Sequence, residues 1–298
     1  MEHRILGKTG LSVSVLGFGG AEIGFEDASP DTVERLLGAA LDAGLNVIDT
    51  AECYNTSEEL IGRAVSGRRS HYHLFSKCGH ASGFDLPDWN PEMLMQSIER
   101  SLQRLQTGHL DVLQLHSCDE ETLRQGDVIE VVQRARDEGK TRFIGFSGDG
   151  AAARYAVECG VFDTLQLSLS VLDQEAIEAL LPAAAAREMG VIAKRPIGNA
   201  VWQHASLPDN SYHQDYWKRA QDLKFSFLQG DAPDGIATAL RWTLSAPGVH
   251  TAIVGTTKPD RWQQNADLLK AGALPQNEWD AIRARWTEVA APDWTARS

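Results

Sequence analysis

The feature that most constrains this chain is a repeat of pattern rather than of sequence. Short apolar runs alternate with helix-like stretches from residue 15 to residue 254. Eight runs read as strands, at 15–18, 46–49, 72–77, 111–116, 143–147, 164–168, 191–194 and 251–254. The stretches between them have helical periodicity and readable ends. SPDTVERLLGAALDAG takes Ser29 as N-cap, Pro30 in its first turn and Gly44 as its stop. NPEMLMQSIERSLQRL is capped by Asn90 and lines Leu94, Ile98, Leu102 and Leu105 along one face. DQEAIEALLPAAAAREMG is closed by Gly190, with an interruption expected at Pro182. Eight such units predict an α/β chain of the (β/α)8 TIM-barrel type. Ahead of them, RILGKTGLSVS reads as a small hairpin, with strands at 4–6 and 11–13 around a turn at 7–10. With no repeat, linker or low-complexity segment, residues 1–298 are expected to form one barrel domain.

The alternation stretches once. Residues 195–250, after the seventh strand, hold Trp202, His204, Tyr212, His213, Tyr216, Trp217 and Phe225, with room for one extra helix. A long aromatic loop after a barrel strand lies on the face where barrel enzymes bind substrate.

Composition narrows the partners. Lys and Arg number 28 against 41 Asp and Glu, a formal charge of −13, which argues against nucleic acid or anionic membrane as the main partner. MEHRILGKTG has no apolar core for a signal peptide, and no apolar run is long enough to span a bilayer, so a cytoplasmic location is expected. Cys53, Cys78, Cys118 and Cys159 form no C-x-x-C pair and no short metal-ligand spacing, so no metal is assigned. His71 and His73 share a strand face but lack a third ligand nearby in sequence, and read as surface residues. G-x-G-G at Gly17, Gly19 and Gly20 lacks the spaced third glycine of a Rossmann fingerprint; these glycines let the first strand end close to a ligand.

Barrel chemistry sits at the carboxyl ends of strands. Those ends give Asp49, Lys77 and His116, with Tyr54 in the loop just past Asp49. Strands two, three and four are neighbours, so the four side chains converge. A phenol with an ordinary pKa near 10 is a poor acid at neutral pH, and a nearby ammonium lowers that pKa. An aspartate holds the ammonium in place, and a histidine hydrogen-bonds a carbonyl oxygen. This set suits proton donation to a carbonyl receiving a hydride, which must come from a cofactor.

At these residues the chain resembles the aldo-keto reductase family. NVIDTAECYNTSEELIG, LFSKCG and SIERSLQRLQTGHLDVLQLH match the segments carrying the four residues; GLSVSVLGFGG, FIGFSG and IVGTTKPDRWQQN match elsewhere. The resemblance implies NAD(P)(H)-dependent reduction of aldehydes or ketones, run in reverse on alcohols, polyols or sugars. It assigns Tyr54 as general acid, Lys77 and Asp49 as its tuning pair and His116 as the carbonyl-orienting partner.

The resemblance also supplies the cofactor contacts. Gly20 and Ala21 follow the first barrel strand. Ser147 and Gln166 would hold the nicotinamide carboxamide, beside Asp49. Gly255, Thr256 and Thr257 would meet a phosphate, Lys258 and Arg261 the 2′-phosphate of NADPH, and Gln264 and Asn265 the adenine. NADPH is the expected cofactor, with NADH the alternative. Three departures stand out: Gly255 replaces a lysine common in NADPH-specific relatives, Gly148-Asp149 replaces an asparagine, and Lys194-Arg195-Pro196 replaces Tyr-Ser-Pro. A guanidinium can stack on a ring, and either cation suits an anionic or hydroxylated substrate.

Trp89 and Trp202 are expected to line the substrate pocket with Tyr54 and His116; His80, Trp217, Trp286 and Trp294 read equally well as packing residues. The leading function is an NADPH-dependent oxidoreductase for a small carbonyl, polyol or sugar. One alternative is a slow NADP(H)-binding regulatory subunit, through the family's likeness to potassium-channel β subunits. Another is a cofactor-free lyase or isomerase, which leaves Lys258 and Arg261 without a role.

Overall fold

The structure, a computed structural model, describes residues 1–229 and 233–296. Two short strands, β1 (His3–Ile5) and β2 (Ser12–Ser14), pair antiparallel around a turn at Gly7–Thr9. Eight parallel strands follow: β3 (Leu16–Gly19), β4 (Val47–Asp49), β5 (His73–Cys78), β6 (Leu110–His116), β7 (Thr141–Ser147), β8 (Thr164–Ser168), β9 (Gly190–Lys194) and β10 (Thr251–Gly255). They close in chain order, β10 pairing with β3. The predicted barrel and its N-terminal hairpin are both present.

Local chemistry explains the helix starts. Ser29 accepts from the Thr32 amide ahead of helix Pro30–Asp42, and Asn90 accepts from Glu92 and Met93 ahead of Pro91–Arg104. The break predicted at Pro182 is real: Ala176–Ala179 and Leu181–Ala186 are separate helices, split at Leu180. Gly190 does not close the second one. The chain turns at Glu188, whose φ is 54°, and Gly190 already belongs to β9. A Cβ there would lie 2.5 Å from Leu6 Cγ, so this glycine exists for the hairpin's close approach.

That approach closes one end of the barrel. Leu6, Leu11 and Val13 bury themselves against Val47, Phe75, Val112 and Ile192, which lie early in their strands. The other end stays polar. The stretch after β9 adds a 3₁₀ segment (Gly198–Gln203), helix Ser211–Leu223 and a turn at Ser226–Leu228 before helix Pro233–Ser245. Residues 230–232 of this stretch and 297–298 of the expected domain fall outside the described residues. Among the described residues, no helix is long and apolar enough to cross a membrane.

Candidate active site

Strand alternation makes the polar end. Two residues beyond Val47, Phe75, Val112 and Ile192 on the same strand faces come Asp49, Lys77, Gln114 and Lys194. One layer of the barrel interior is apolar, and the next carries the chemistry.

Asp49 is the hub, only 1% exposed. Its Oδ2 takes the Lys77 ammonium at 2.5 Å, and its Oδ1 accepts from Gln114 Nε2 at 3.1 Å and Gln166 Nε2 at 2.8 Å. Lys77 Nζ also donates to the Thr50 carbonyl at 2.8 Å, and Ser147 Oγ donates to Gln166 Oε1 at 3.0 Å. The buried ion pair is thus supported by further hydrogen bonds, the condition under which such a pair is tolerated. Burial alone would lower the Lys77 pKa; the Asp49 carboxylate and the Tyr54 phenol outweigh it and hold it above its ordinary value.

Tyr54 sits in the loop after β4, with the Lys77 ammonium 5.1 Å from its ring centroid. Its ring meets His116 edge-on at 5.6 Å and Phe25 at 5.5 Å. Gly24 lets helix Ala21–Phe25 rest on this loop, since a Cβ there would lie 2.0 Å from the Tyr54 carbonyl oxygen. Burial raises the phenol's pKa and Lys77 pulls it down, but burial is the larger effect. The expected acidifying lysine is therefore present, and the phenol is still a weaker acid than free tyrosine. His116 is pushed well below its ordinary range, first by burial and then by Lys77, His80, Lys194 and Arg195, so it is neutral at pH 7.

A second ion cluster stands beside the first. Asp149 accepts from the Ser168 amide at 2.7 Å and Ser168 Oγ at 3.0 Å, and pairs with Lys194 Nζ at 2.9 Å. Arg195, at φ 56°, donates to Ser168 Oγ at 2.5 Å and lays its guanidinium 4.7 Å from the Tyr212 ring centroid. Lys194 and Arg195 thus stand close enough to act on His116, and Lys194 is paired with an internal carboxylate. Pro196 lends its carbonyl to Thr243 Oγ1 at 2.9 Å.

The β10 segment is different. Helix Pro259–Leu268 starts at Lys258 with no side-chain cap; Pro259 has no N–H and the Arg261 amide donates to the Lys258 carbonyl at 3.0 Å, which leaves the Asp260 amide of the first turn for an anion. Among the described residues neither Lys258 nor Arg261 has an ion-pair partner. Thr256 Oγ1 accepts from the Lys258 amide, Gln264 is exposed and Asn265 is buried. Two carboxylates lean in from the β3 side. A Cβ on Gly255 would fall 1.5 Å from Glu22 Oε2, so the Glu22 side chain fills the space a side chain at 255 would take. Thr257 Oγ1 donates to Glu26 Oε2 at 2.8 Å. Burial, helped by Glu26, raises the Glu22 pKa. Gly20 is tight for another reason: a Cβ there would lie 2.7 Å from Ser57 Oγ, which donates to the Gly20 carbonyl. Ala21 begins the helix carrying Glu22.

The aromatic candidates separate. Trp89 meets His80 edge-on at 5.6 Å, and His80 meets His116 at 5.3 Å. Trp202 packs against helix Pro233–Ser245, where a Cβ on Gly235 would be 3.3 Å from its Nε1. Phe25 and Tyr212 contact the Tyr54 and Arg195 side chains instead. Tyr216 donates to buried Asp173 at 2.8 Å and is itself buried, so this aromatic of the insertion is structural. Burial pushes the Cys53 and Cys118 thiols up to about 12, so neither is activated by Lys77. His73 lies 3.8 Å from Asp111, away from the polar end.

Gln114, Phe25, Glu22 and the Asp149 pairing escape a reading of strand ends. Alternation from Val112 to His116 is the one signal that points to Gln114.

The closed eight-stranded barrel agrees with the comparisons. A profile of the aldo/keto reductase family matches residues 15–287, and the chain belongs to that family. It is an oxidoreductase-family protein, and membership implies a nicotinamide cofactor and small carbonyl or sugar substrates. It is 28% identical to L-galactose dehydrogenase of Arabidopsis thaliana, over 89% of this chain and 87% of that one. It is 26% identical to D-threo-aldose 1-dehydrogenase of a Pseudomonas species, over 91% and 93%. The holo form of aldo-keto reductase AKR11C1 from Bacillus halodurans shares the fold, with a TM-score of 0.84, 24% identity and 99% of both chains covered.

Proposed function

We propose that this protein transfers hydride between a nicotinamide cofactor and a small hydroxylated carbonyl compound, an aldose or related sugar being the favoured class. The carrying observation is the buried Lys77–Asp49 pair beneath Tyr54, with neutral His116 at the ring's edge. His116 orients the carbonyl oxygen by hydrogen bonding, and Tyr54 delivers the proton to that oxygen. Lys77 stabilises the phenolate left behind, while Asp49, held by Gln114 and Gln166, fixes Lys77 in place. The cofactor, when bound, supplies or accepts the hydride. Lys194, Arg195 and Asp149 offer donors and an acceptor to sugar hydroxyls, and Trp89 and Tyr212 offer apolar faces. Sugar chemistry in the names of two relatives supports this class.

The uncapped helix start, with Lys258 and Arg261 outside any ion pair among the described residues, suits the cofactor's adenosine phosphates. Ser147 and Gln166 suit the carboxamide. Lys258 and Arg261 favour the extra phosphate of NADPH, and Glu22 and Glu26 oppose it, so we assign a weak NADPH preference with NADH also accepted.

The test is absorbance of the reduced cofactor. NAD(P)+ with a panel of aldoses, and NADPH or NADH with a panel of aldehydes, are run on wild type and Tyr54→Phe. Turnover by wild type alone is the expected result. Equal rates in both proteins remove Tyr54 from the reaction. Tight cofactor binding without turnover on any substrate favours the regulatory alternative.

A further inference from the structure

We propose that Cys53, His80 and His116 form a binding site for a thiophilic divalent cation, with Zn²⁺ as the type case. Its occupancy closes the mouth of the barrel to the carbonyl substrate. One ligand atom from each of the three residues lies within 4.8 Å of the others. In a tetrahedral zinc site, sulfur and nitrogen ligands at about 2.3 and 2.0 Å stand roughly 3.5 Å apart. Cys53 Sγ and His116 Nδ1 already stand at 3.4 Å. His80, on the loop after β5 with a side chain 35% exposed, has room to close the remainder.

The surroundings are built for a ligating imidazole. Asp88 Oδ2 lies 3.0 Å from His80 Nδ1, and its Oδ1 accepts from the Ala81 amide at 2.8 Å. A carboxylate behind an imidazole holds the proton on that nitrogen and leaves the other as a metal ligand. Glu52, 1% exposed, accepts from the His80 amide at 3.1 Å and places a further carboxylate under the loop. The opposing charges are Lys77, paired with Asp49 at 2.5 Å, and Lys194 and Arg195, which share Asp149 at 2.9 and 4.0 Å. The donors come from the loops after β4 and β5 and the end of β6, so no spacing in the sequence brings them together.

Ligation balances simply. The Cys53 S–H bond breaks, an S–metal bond forms and one proton is released to solvent, with no change of oxidation state. Water completes the coordination. The blocking role rests on the proposed function, because it assumes that substrate approaches His116; the binding itself does not.

The cofactor-free full chain is titrated with Co²⁺, whose thiolate ligation gives a near-ultraviolet charge-transfer band. A band saturating at one equivalent, displaced by Zn²⁺ and lost in Cys53→Ser, is expected. Asp88→Asn should weaken binding roughly tenfold. Zn²⁺ should then inhibit wild type competitively with the carbonyl substrate, reversibly with chelator, and spare Cys53→Ser and His80→Asn, which retain metal-free turnover. No band, or a band surviving in Cys53→Ser, overturns the site. A band that follows the variants while saturating Zn²⁺ leaves turnover unchanged overturns the blocking role. A chain without turnover under any condition refutes the proposed function and leaves the spectroscopic result decisive for the metal.

Discussion

Five cations stand near the polar end of the barrel, and they divide by what they touch. Lys77 and Lys194 pair with Asp49 and Asp149, and Arg195 binds Ser168 beside the same Asp149. Lys258 and Arg261, at the start of the β10 helix, have no such partner among the described residues. The difference separates two kinds of work. A paired, buried cation has a fixed position and a charge already balanced, which suits proton chemistry at one atom. An unpaired, solvated cation keeps its charge for an incoming anion. In the function proposed above, the second kind receives the phosphate-bearing ligand.

The sharpest way to break this division is Tyr54→Phe. Without the phenol, turnover should fall by about 10²–10⁴-fold while cofactor affinity holds. In the oxidation direction Tyr54 must act as phenolate, and its raised pKa means that wild-type oxidation should climb steadily through the alkaline range. A flat alkaline profile would count against the assignment. His116 is already neutral, so reduction should show no loss near pH 6.5 from its protonation.

Next in size is the paired cluster's stability. Lys77→Met leaves Asp49 buried and uncompensated, and should cost about 3–5 kcal/mol in denaturant unfolding. A cost below about 1 kcal/mol would mean that the pair is solvated and the closed picture is wrong.

Glu58 sharpens the comparison from inside. It is 1% exposed, accepts from Ser76 at 2.6 Å, and burial raises its pKa to about 7 from the ordinary 4.5. The folded state therefore binds this proton more tightly than the unfolded state. Its stabilisation is complete below pH 4.5 and is lost as pH rises towards 7. Glu58→Gln should remove on the order of 2–3 kcal/mol of that pH dependence, read from unfolding curves at several pH values.

The smallest effects belong to the open segment. Arg261→Leu should weaken NADPH about tenfold more than NADH, and Glu22→Gln should raise the NADPH-to-NADH affinity ratio by roughly threefold, both less at high salt. An unchanged ratio in Glu22→Gln would show that the carboxylate moves aside at no cost.

The same division describes what the sequence makes legible. Local signals carry far: all eight barrel strands fall within two residues of their predicted limits, and Ser29, Asn90 and the break at Pro182 act as their chemistry dictates. Asp49, Lys77 and His116 are legible because a strand's carboxyl end is a position, and a position can be counted. Glu22 over Gly255, Gln114 on Asp49 and Lys194 on Asp149 are contacts between residues far apart in the chain. No periodicity encodes them. Gly190 misleads as a helix stop because glycine serves close packing as readily as a turn. Trp202 meets Gly235 in the helix after the insertion, a contact that its place in the sequence does not encode.

The most direct measurement is a rapid-mixing experiment that reads cofactor binding and hydride transfer in one trace. It compares wild type, Tyr54→Phe and the double variant Lys258→Met/Arg261→Leu. A crossed pattern is predicted: Tyr54→Phe binds cofactor normally and fails to transfer hydride, whereas the double variant binds weakly and transfers at the wild-type rate once saturated. If the double variant is slow at saturation, or Tyr54→Phe binds cofactor poorly, the two sets of cations do not divide the work and the account is contradicted.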